Sequence, residues 1–161
     1  MYSKIALKIC VALKQGKIKS RKEFWKKYND ISYWQNIDIS TLSGEKYYKN
    51  SNINLICVFD QIFPFVNPQV NQEEQPFLFA YISDINLLNA FDENITVIGV
   101  LDPTEDVFIR EKRIVETLVL NGKNIISGLA NGCDSIAHKI CVDNDGKTIA
   151  FFAFNFRKYL S

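Results

Sequence analysis

Short apolar runs alternate with helical stretches over the second half of the chain, and this pattern narrows the folds open to it. The apolar runs are Ile95–Val100, Asn124–Ile126 and Lys147–Phe154, and residues 106–120 and 133–142 between them have helical character. Near-continuous apolar strands separated by amphipathic helices are typical of a buried parallel sheet with βαβ crossovers. The sequence therefore predicts an α/β fold with a largely parallel sheet and flanking helices.

The first predicted crossover helix, residues 106–120, has an apolar and a polar side. Its apolar side carries Phe108, Ile114, Val115, Leu118 and Val119, and its polar side carries Arg110, Glu111, Lys112, Arg113 and Glu116. This division predicts that the helix packs on the sheet through its apolar side and leaves the charges in solvent. Asn121-Gly122 is a helix-stop signal and ends the helix there.

The sequence of the N-terminal part predicts a small helical module over residues 1–50, followed by an α/β domain over residues 51–161. Residues 4–15 have helical periodicity, and Ser20 with Glu23 forms a capping box for a second helix over residues 21–28. A third short helix is predicted at Thr41–Tyr48. In the connecting region, residues 53–59 and 77–82 are predicted strands on either side of a proline-containing loop, and residues 84–89 are predicted to form helical turns.

Charge is distributed unevenly although the whole chain carries a net charge of only +1. Residues 1–50 hold 11 Lys/Arg against 4 Asp/Glu, whereas residues 51–107 hold 9 Asp/Glu and no Lys or Arg. A basic section of this kind either attracts a polyanion or forms a lysine-rich solvated helical face, and on charge alone the solvated face is favoured. Trp25, Tyr28, Tyr33 and Trp34 in the same section either stack on bases or form its core, and the core is favoured.

The 161-residue length corresponds to one domain with a small addition, and the four cysteines form no CxxC motif. Three of them, Cys10, Cys57 and Cys141, lie in or beside apolar stretches, which predicts buried free thiols in a reducing compartment. The N-terminal apolar stretch contains too many lysines for a signal-peptide core, and no apolar run approaches a membrane span. We therefore expect a cytoplasmic protein.

The segment that points most clearly to ligand binding is the loop of residues 127–134, between a predicted strand and a predicted helix. Gly128 and Gly132 permit tight turning and close approach of the backbone, and the helix that follows presents free N–H groups and the positive end of its dipole. Gly99, near the end of the neighbouring strand, is expected to face the same crevice. This geometry suits phosphate binding, although many α/β proteins have such a loop for structural reasons.

Asp134, His138 and Cys141 fall on one face of the helix after this loop, which raises the possibility of a nucleophilic or metal site. The spacing fits no zinc motif, and one helix does not readily supply a complete site. The favoured interpretation is that Asp134 complements the helix N-terminus while His138 packs at the pocket edge. No catalytic residue, metal or cofactor is predicted.

The run Ser127-Gly-Leu-Ala-Asn-Gly-Cys-Asp134, followed by Ala137-His138 and by Gly146-Lys-Thr-Ile-Ala150, resembles the central signature of the DNA-processing protein A (DprA/Smf) family. Weaker upstream matches, Asp60-Gln-Ile-Phe-Pro64 and Ile95-Thr-Val-Ile-Gly99, agree with that family in order and spacing. The resemblance covers roughly residues 53–153. It implies a helical N-terminal module and an extended Rossmann-like domain.

The resemblance also implies a function: binding of single-stranded DNA during natural transformation and recombination, loading of a RecA-type recombinase, self-association, and no catalytic activity. It implies that the amides of Ser127, Gly128 and Leu129, with Gly99 opposite, hold phosphates and that Lys139 and Lys147 add positive charge. The full set of nucleic-acid-binding residues implied is Gly99, Ser127, Gly128, Leu129, Asn131, Gly132, Asp134, His138, Lys139 and Lys147.

The sequence departs from the family pattern at positions where the family has arginine. Leu101 stands where the family has the first of them, and Asn131 stands where it has the second. The family also continues through further strands and helices beyond the point corresponding to Ser161. Two alternatives therefore remain open: a small-molecule protein that binds a nucleotide or phosphosugar, and a shortened paralogue that keeps the fold without the ligand.

Overall fold

The computed structural model describes residues 3–40, 52–64 and 66–152. The described residues up to Asn86 form one compact unit, and those from Leu87 onwards form a second.

Three helices begin the first unit, each with a side-chain cap at its N-terminus. Their bounds are α1 Lys4–Lys14, α2 Arg21–Lys27 and α3 Ile31–Gln35. Ser20 accepts a hydrogen bond from the amide of Glu23, which is the first bond of the predicted capping box. The Glu23 carboxylate accepts from the amide of Lys19, one residue before the N-cap, and not from that of Ser20. The helices predicted at 4–15 and 21–28 are confirmed. The short α3 was not predicted, and the helix predicted at Thr41–Tyr48 lies outside the described residues.

A two-stranded antiparallel ladder completes the first unit. β1 (Asn54–Cys57) pairs with β2 (Leu78–Tyr81). The strands themselves were predicted at residues 53–59 and 77–82, but their pairing was not. Phe24 is fully buried in this unit, and its ring stacks on that of Phe77 with centroids 4.0 Å apart. Trp34 is also buried, and its indole N–H donates to the carbonyl of Lys27. These contacts support the interpretation that the aromatic residues of this section form its core.

The second unit is the predicted parallel sheet with crossover helices. Its elements are β3 Asn94–Thr96, α4 Glu105–Leu120, β4 Asn124–Ser127, α5 Cys133–Asp143 and β5 Thr148–Ala150. The strand order is β3-β4-β5, and both neighbouring pairs are parallel. α4 and α5 pack against each other and on β4, around the buried Val115, Ile125 and Ala137.

β3 is shorter than the predicted strand over Ile95–Val100. The amide of Val97 still donates to the carbonyl of Ile126, but the chain then leaves the sheet and the side chain of Ile98 is exposed. The apolar run therefore continues past the point where the strand ends.

All four cysteines are free and buried, which confirms the predicted thiols. Burial raises the pKa of Cys10 to about 12 and that of Cys57 to about 12, so both stay neutral and unreactive near pH 7. Within the described ranges, no helix combines the length and apolar character needed to cross a membrane.

Candidate anion-binding site

The candidate site lies where β3 and β4 end. Ser127 ends β4 and Cys133 begins α5, so residues 128–132 form the predicted connection between strand and helix. Residues 97–101 leave the end of β3 beside this loop. The carboxyl ends of parallel strands are the usual ligand-binding edge of an open α/β sheet.

Two glycines allow the segments after β3 and β4 to touch through their backbones. Gly132 has φ +83°, and a Cβ there would collide with the carbonyl oxygens of Val100 and Leu101. A Cβ at Gly99 would lie 2.6 Å from the Cys133 sulfur. Both glycines are therefore needed for close packing at the edge of the site.

Side chains of α5 hold two carbonyl groups of the loop. The hydroxyl of Ser135 donates to the carbonyl of Ala130 at 2.5 Å, and Nε2 of His138 lies 2.5 Å from the carbonyl oxygen of Gly128. Sequence reasoning missed Ser135, although a serine in the first turn of a helix after a glycine loop is a recognisable signal.

The loop amides, in contrast, have no acceptor within the described part of the chain. This holds for the N–H groups of Gly128, Leu129, Ala130 and Asn131. Leu129, Ala130 and Asn131 are also exposed to solvent. Consecutive unpaired amides at the start of a helix are the donor set that binds an anion.

The side chain of Ser127 has a structural partner instead. Ser127 is buried, and its hydroxyl donates to the carbonyl of Val97 at 2.6 Å, which joins the ends of β3 and β4.

Ser127→Ala is expected to destabilise the protein by about 1 kcal/mol, because the Val97 carbonyl loses its donor, and to leave affinity for an anionic ligand unchanged within about twofold. Denaturant unfolding and anisotropy titrations measure the two effects. The control is Thr117→Ala, which removes an exposed hydrogen bond to the carbonyl of Arg113 and is expected to cost less than about 0.5 kcal/mol. A large loss of affinity in Ser127→Ala at normal stability would contradict the structural role.

Two carboxylates lie near the N-terminus of α5. Asp134 belongs to its first turn, and its Oδ2 packs against Gly128, 2.5 Å from where a Cβ would stand. Glu111 of α4 lies beside Cys133, and this carboxylate raises the pKa of the Cys133 thiol. The amide of Cys133 donates to the carbonyl of Val100, so the first donor of α5 is already used. The first amide of α5 is therefore not available to an anion.

The position of Glu111 corrects the sequence interpretation. It was expected on the polar side of α4, but its side chain is only 7% exposed. Among the described residues, no hydrogen-bond donor reaches either carboxylate oxygen. Glu111 shares a helix face with the buried Val115, one turn later.

The two lysines suggested by the resemblance lie away from the loop. Lys139 is exposed in the middle of α5, with its ammonium 3.7 Å from the carboxylate of Asp143. Lys147 precedes β5 at the amino edge of the parallel sheet, whereas the loop lies at the carboxyl edge, about 10 Å away along the strand. The structure brings Gly99, Gly128, Asp134 and His138 together but not these two lysines.

A parallel sheet with crossover helices and a glycine-containing loop between strand and helix defines a Rossmann-like α/β protein. The family model for DNA recombination-mediator protein A matches residues 54–160. The chain belongs to this family, which confirms the resemblance found in the sequence.

A solved structure supports the fold. DNA processing protein A (DprA) from Streptococcus pneumoniae superposes with a TM-score of 0.58 at 21% sequence identity, over 91% of this chain and 52% of that chain. This chain thus spans about half the length of the pneumococcal protein. Among curated protein sequences, none matches it.

Proposed function

We propose that this protein binds single-stranded DNA through the unpaired amides of residues 128–131 and acts without catalysis in DNA processing. The observation that carries the proposal is the asymmetry of this loop. Its carbonyls at Gly128 and Ala130 contact side chains of α5, while four successive amides have no acceptor among the described residues.

Such a donor set favours a phosphodiester backbone over a base. Backbone amides bind phosphate oxygens regardless of sequence, so the proposed binding tolerates any base. The helical section adds long-range attraction, because residues 3–40 hold nine Lys/Arg and three Asp/Glu. The membership in a family of recombination mediators agrees with a DNA ligand.

The surroundings of His138 and Cys141 favour binding over catalysis. Both ring nitrogens of His138 have neighbours, the carbonyl of Gly128 and the hydroxyl of Thr148. The thiol of Cys141 is buried, donates to the carbonyl of Lys147 and has a pKa raised by burial. Neither group is arranged as a nucleophile with its base.

The proposal extends to partners and place. Engagement of a RecA-type recombinase is proposed by analogy with the family, and self-association is favoured by exposed apolar side chains such as Ile98, Val100 and Leu101. A cytoplasmic location agrees with four free thiols. Co-sedimentation with a recombinase measures the first interaction, and light scattering measures self-association.

Anisotropy of a labelled oligothymidine of about 20 nucleotides tests the proposal. We expect a Kd in the micromolar range or below at roughly 50 mM salt. If lysine or arginine side chains of the chain neutralise about two phosphates in the complex, affinity falls about sevenfold by roughly 200 mM salt. Absence of binding at low salt contradicts the proposal. Thermal stabilisation by a nucleotide or phosphosugar would then show that the protein binds a small molecule.

A further inference from the structure

The segment that leaves β3, residues 98–101, presents apolar side chains to solvent beside the proposed DNA-binding loop. Val100 is 53% exposed and Leu101 is 69% exposed, and Ile98 is exposed as well. Single exposed apolar residues are common on protein surfaces and need no explanation. Three of them within four residues, at the ligand-binding edge of the sheet, indicate a contact surface.

The backbone of this segment touches the start of α5. The amide of Cys133 donates to the carbonyl of Val100 at 3.0 Å, and a Cβ at Gly132 would collide with the carbonyl oxygens of Val100 and Leu101. Gly132 directly follows Asn131, whose amide is the last of the four that have no acceptor among the described residues. The residues that carry the exposed apolar side chains therefore adjoin the amides that are proposed to hold phosphate.

The chemistry of the segment suits the uncharged part of a nucleotide. Residues 97–104 contain no Lys or Arg and one carboxylate, Asp102, so the segment offers no cation to a second phosphate. A base, in contrast, has a flat face that side chains can cover, and such contact tolerates any base. These faces are open in a single strand, whereas in a duplex they are stacked on one another.

A second copy of this chain is the other occupant to consider for the apolar segment. A stable protein interface buries roughly 800 Å² per partner, which needs a much wider surface than four residues provide. A nucleotide held at the amides needs only the one or two side chains next to it. The position and the size of the segment therefore favour a base.

We propose that Val100 and Leu101 contact bases of the strand whose phosphates the loop amides hold, and that this contact makes the site prefer single-stranded DNA. The inference rests on the proposed function. It assigns the two parts of a nucleotide to two segments of the sheet edge, the phosphate to residues 128–131 after β4 and the base to residues 100–101 after β3.

Two oligomers of about 20 units that differ only in their bases test the inference. One is oligothymidine, and the other consists of abasic tetrahydrofuran units, which keep the phosphates and remove the bases. We expect the parent protein to bind oligothymidine about tenfold more tightly than the abasic oligomer at equal salt, because the apolar side chains lose their contact surface. A duplex of the same length is expected to bind at least about tenfold more weakly than oligothymidine.

The double variant Val100→Thr/Leu101→Asn keeps the size of both side chains and removes their apolar character. We expect it to bind the abasic oligomer within about twofold of the parent and to lose the preference for oligothymidine. Comparing the ratio of the two affinities between parent and variant cancels the difference in flexibility between the oligomers. Because both positions are exposed, stability is expected to stay close to that of the parent.

Two single variants complete the set. Leu101→Phe adds an aromatic ring that stacks on bases, and we expect it to tighten binding of oligothymidine about threefold without changing that of the abasic oligomer. Leu120→Asn is the matched control, since Leu120 is exposed at the far end of α4, roughly 24 Å along the helix from its start. It is expected to leave both affinities within about twofold of the parent.

The outcomes separate the inference from the function. Equal binding of the two oligomers by the parent overturns the base contact and leaves phosphate binding in place. A preference for oligothymidine that persists in the double variant overturns the assignment to these residues, and a loss of self-association in light scattering would then assign them to contact between copies. Absence of binding to either oligomer removes the proposed function, and the inference falls with it.

Discussion

Gly132→Ala is expected to lower the free energy of unfolding of the second unit by about 3 kcal/mol or more. Gly132 has φ +83° and ψ −133°, a conformation that side-chain-bearing residues rarely adopt, at a cost of order 1–3 kcal/mol. Its added Cβ would also collide with the carbonyl oxygens of Val100 and Leu101, which are backbone atoms without rotamer freedom. Relieving this overlap moves the segment after β3 and adds about 1–3 kcal/mol.

Gly122→Ala is the matched control, measured with it by denaturant unfolding. Gly122 also has a positive φ, +72°, but no atom lies within 4 Å of its added Cβ. We expect this variant to lose only about 1 kcal/mol, the cost of the left-handed conformation. Equal losses in the two variants would show that the contact between the two segments contributes little to stability.

The second large effect is expected on DNA binding. Leu129→Asp places a negative charge at a side chain that is 57% exposed, beside the unpaired amides of the loop. Repulsion between this carboxylate and a phosphate is expected to weaken oligothymidine binding by about tenfold or more at low salt. The effect is expected to shrink as salt is added, because exposed charges are screened.

Leu129→Asn controls for the loss of the leucine, since asparagine matches aspartate in size without its charge. We expect its affinity for oligothymidine to stay within about twofold of that of the parent. We also expect the free energy of unfolding of both variants to lie within about 0.5 kcal/mol of the parent's value. If both variants bind equally well, the loop does not contact phosphate. The basic helical section would then be the next region to examine.

Much of the fold was predictable because its signals are local. The alternation of apolar strands and amphipathic helices indicated the parallel sheet, and Ser20 with Glu23 fixed the start of α2. The short α3 escaped prediction because it offers five residues and a single capping aspartate, Asp30. The early end of β3 was not predicted, because its apolar run continues to Val100. Beyond the strand, Gly99 packs against Cys133, a contact between segments more than thirty residues apart that no local pattern encodes.

The site was predictable to the extent that it resides in one loop. Its glycines and the helix that follows could be identified from sequence. The location of Lys147 could be as well, because a residue that precedes a parallel strand lies at the edge of the sheet opposite to the loop that follows such a strand. The position of Glu111 one turn before Val115 on the apolar face could also have been identified from helical periodicity, although its charge argued for the polar side. The bond from Ser127 to Val97 could not, because it depends on tertiary packing that loop composition does not encode.

The central claim is that the unpaired amides of residues 128–131 hold the DNA backbone. Amide-resolved NMR of the labelled protein, titrated with oligothymidine, tests it most directly. The account predicts that the largest shifts occur at the amides of Gly128, Leu129, Ala130 and Asn131, with smaller shifts elsewhere. Shifts confined to the basic helices α1 and α2, with these four amides unchanged, would contradict it.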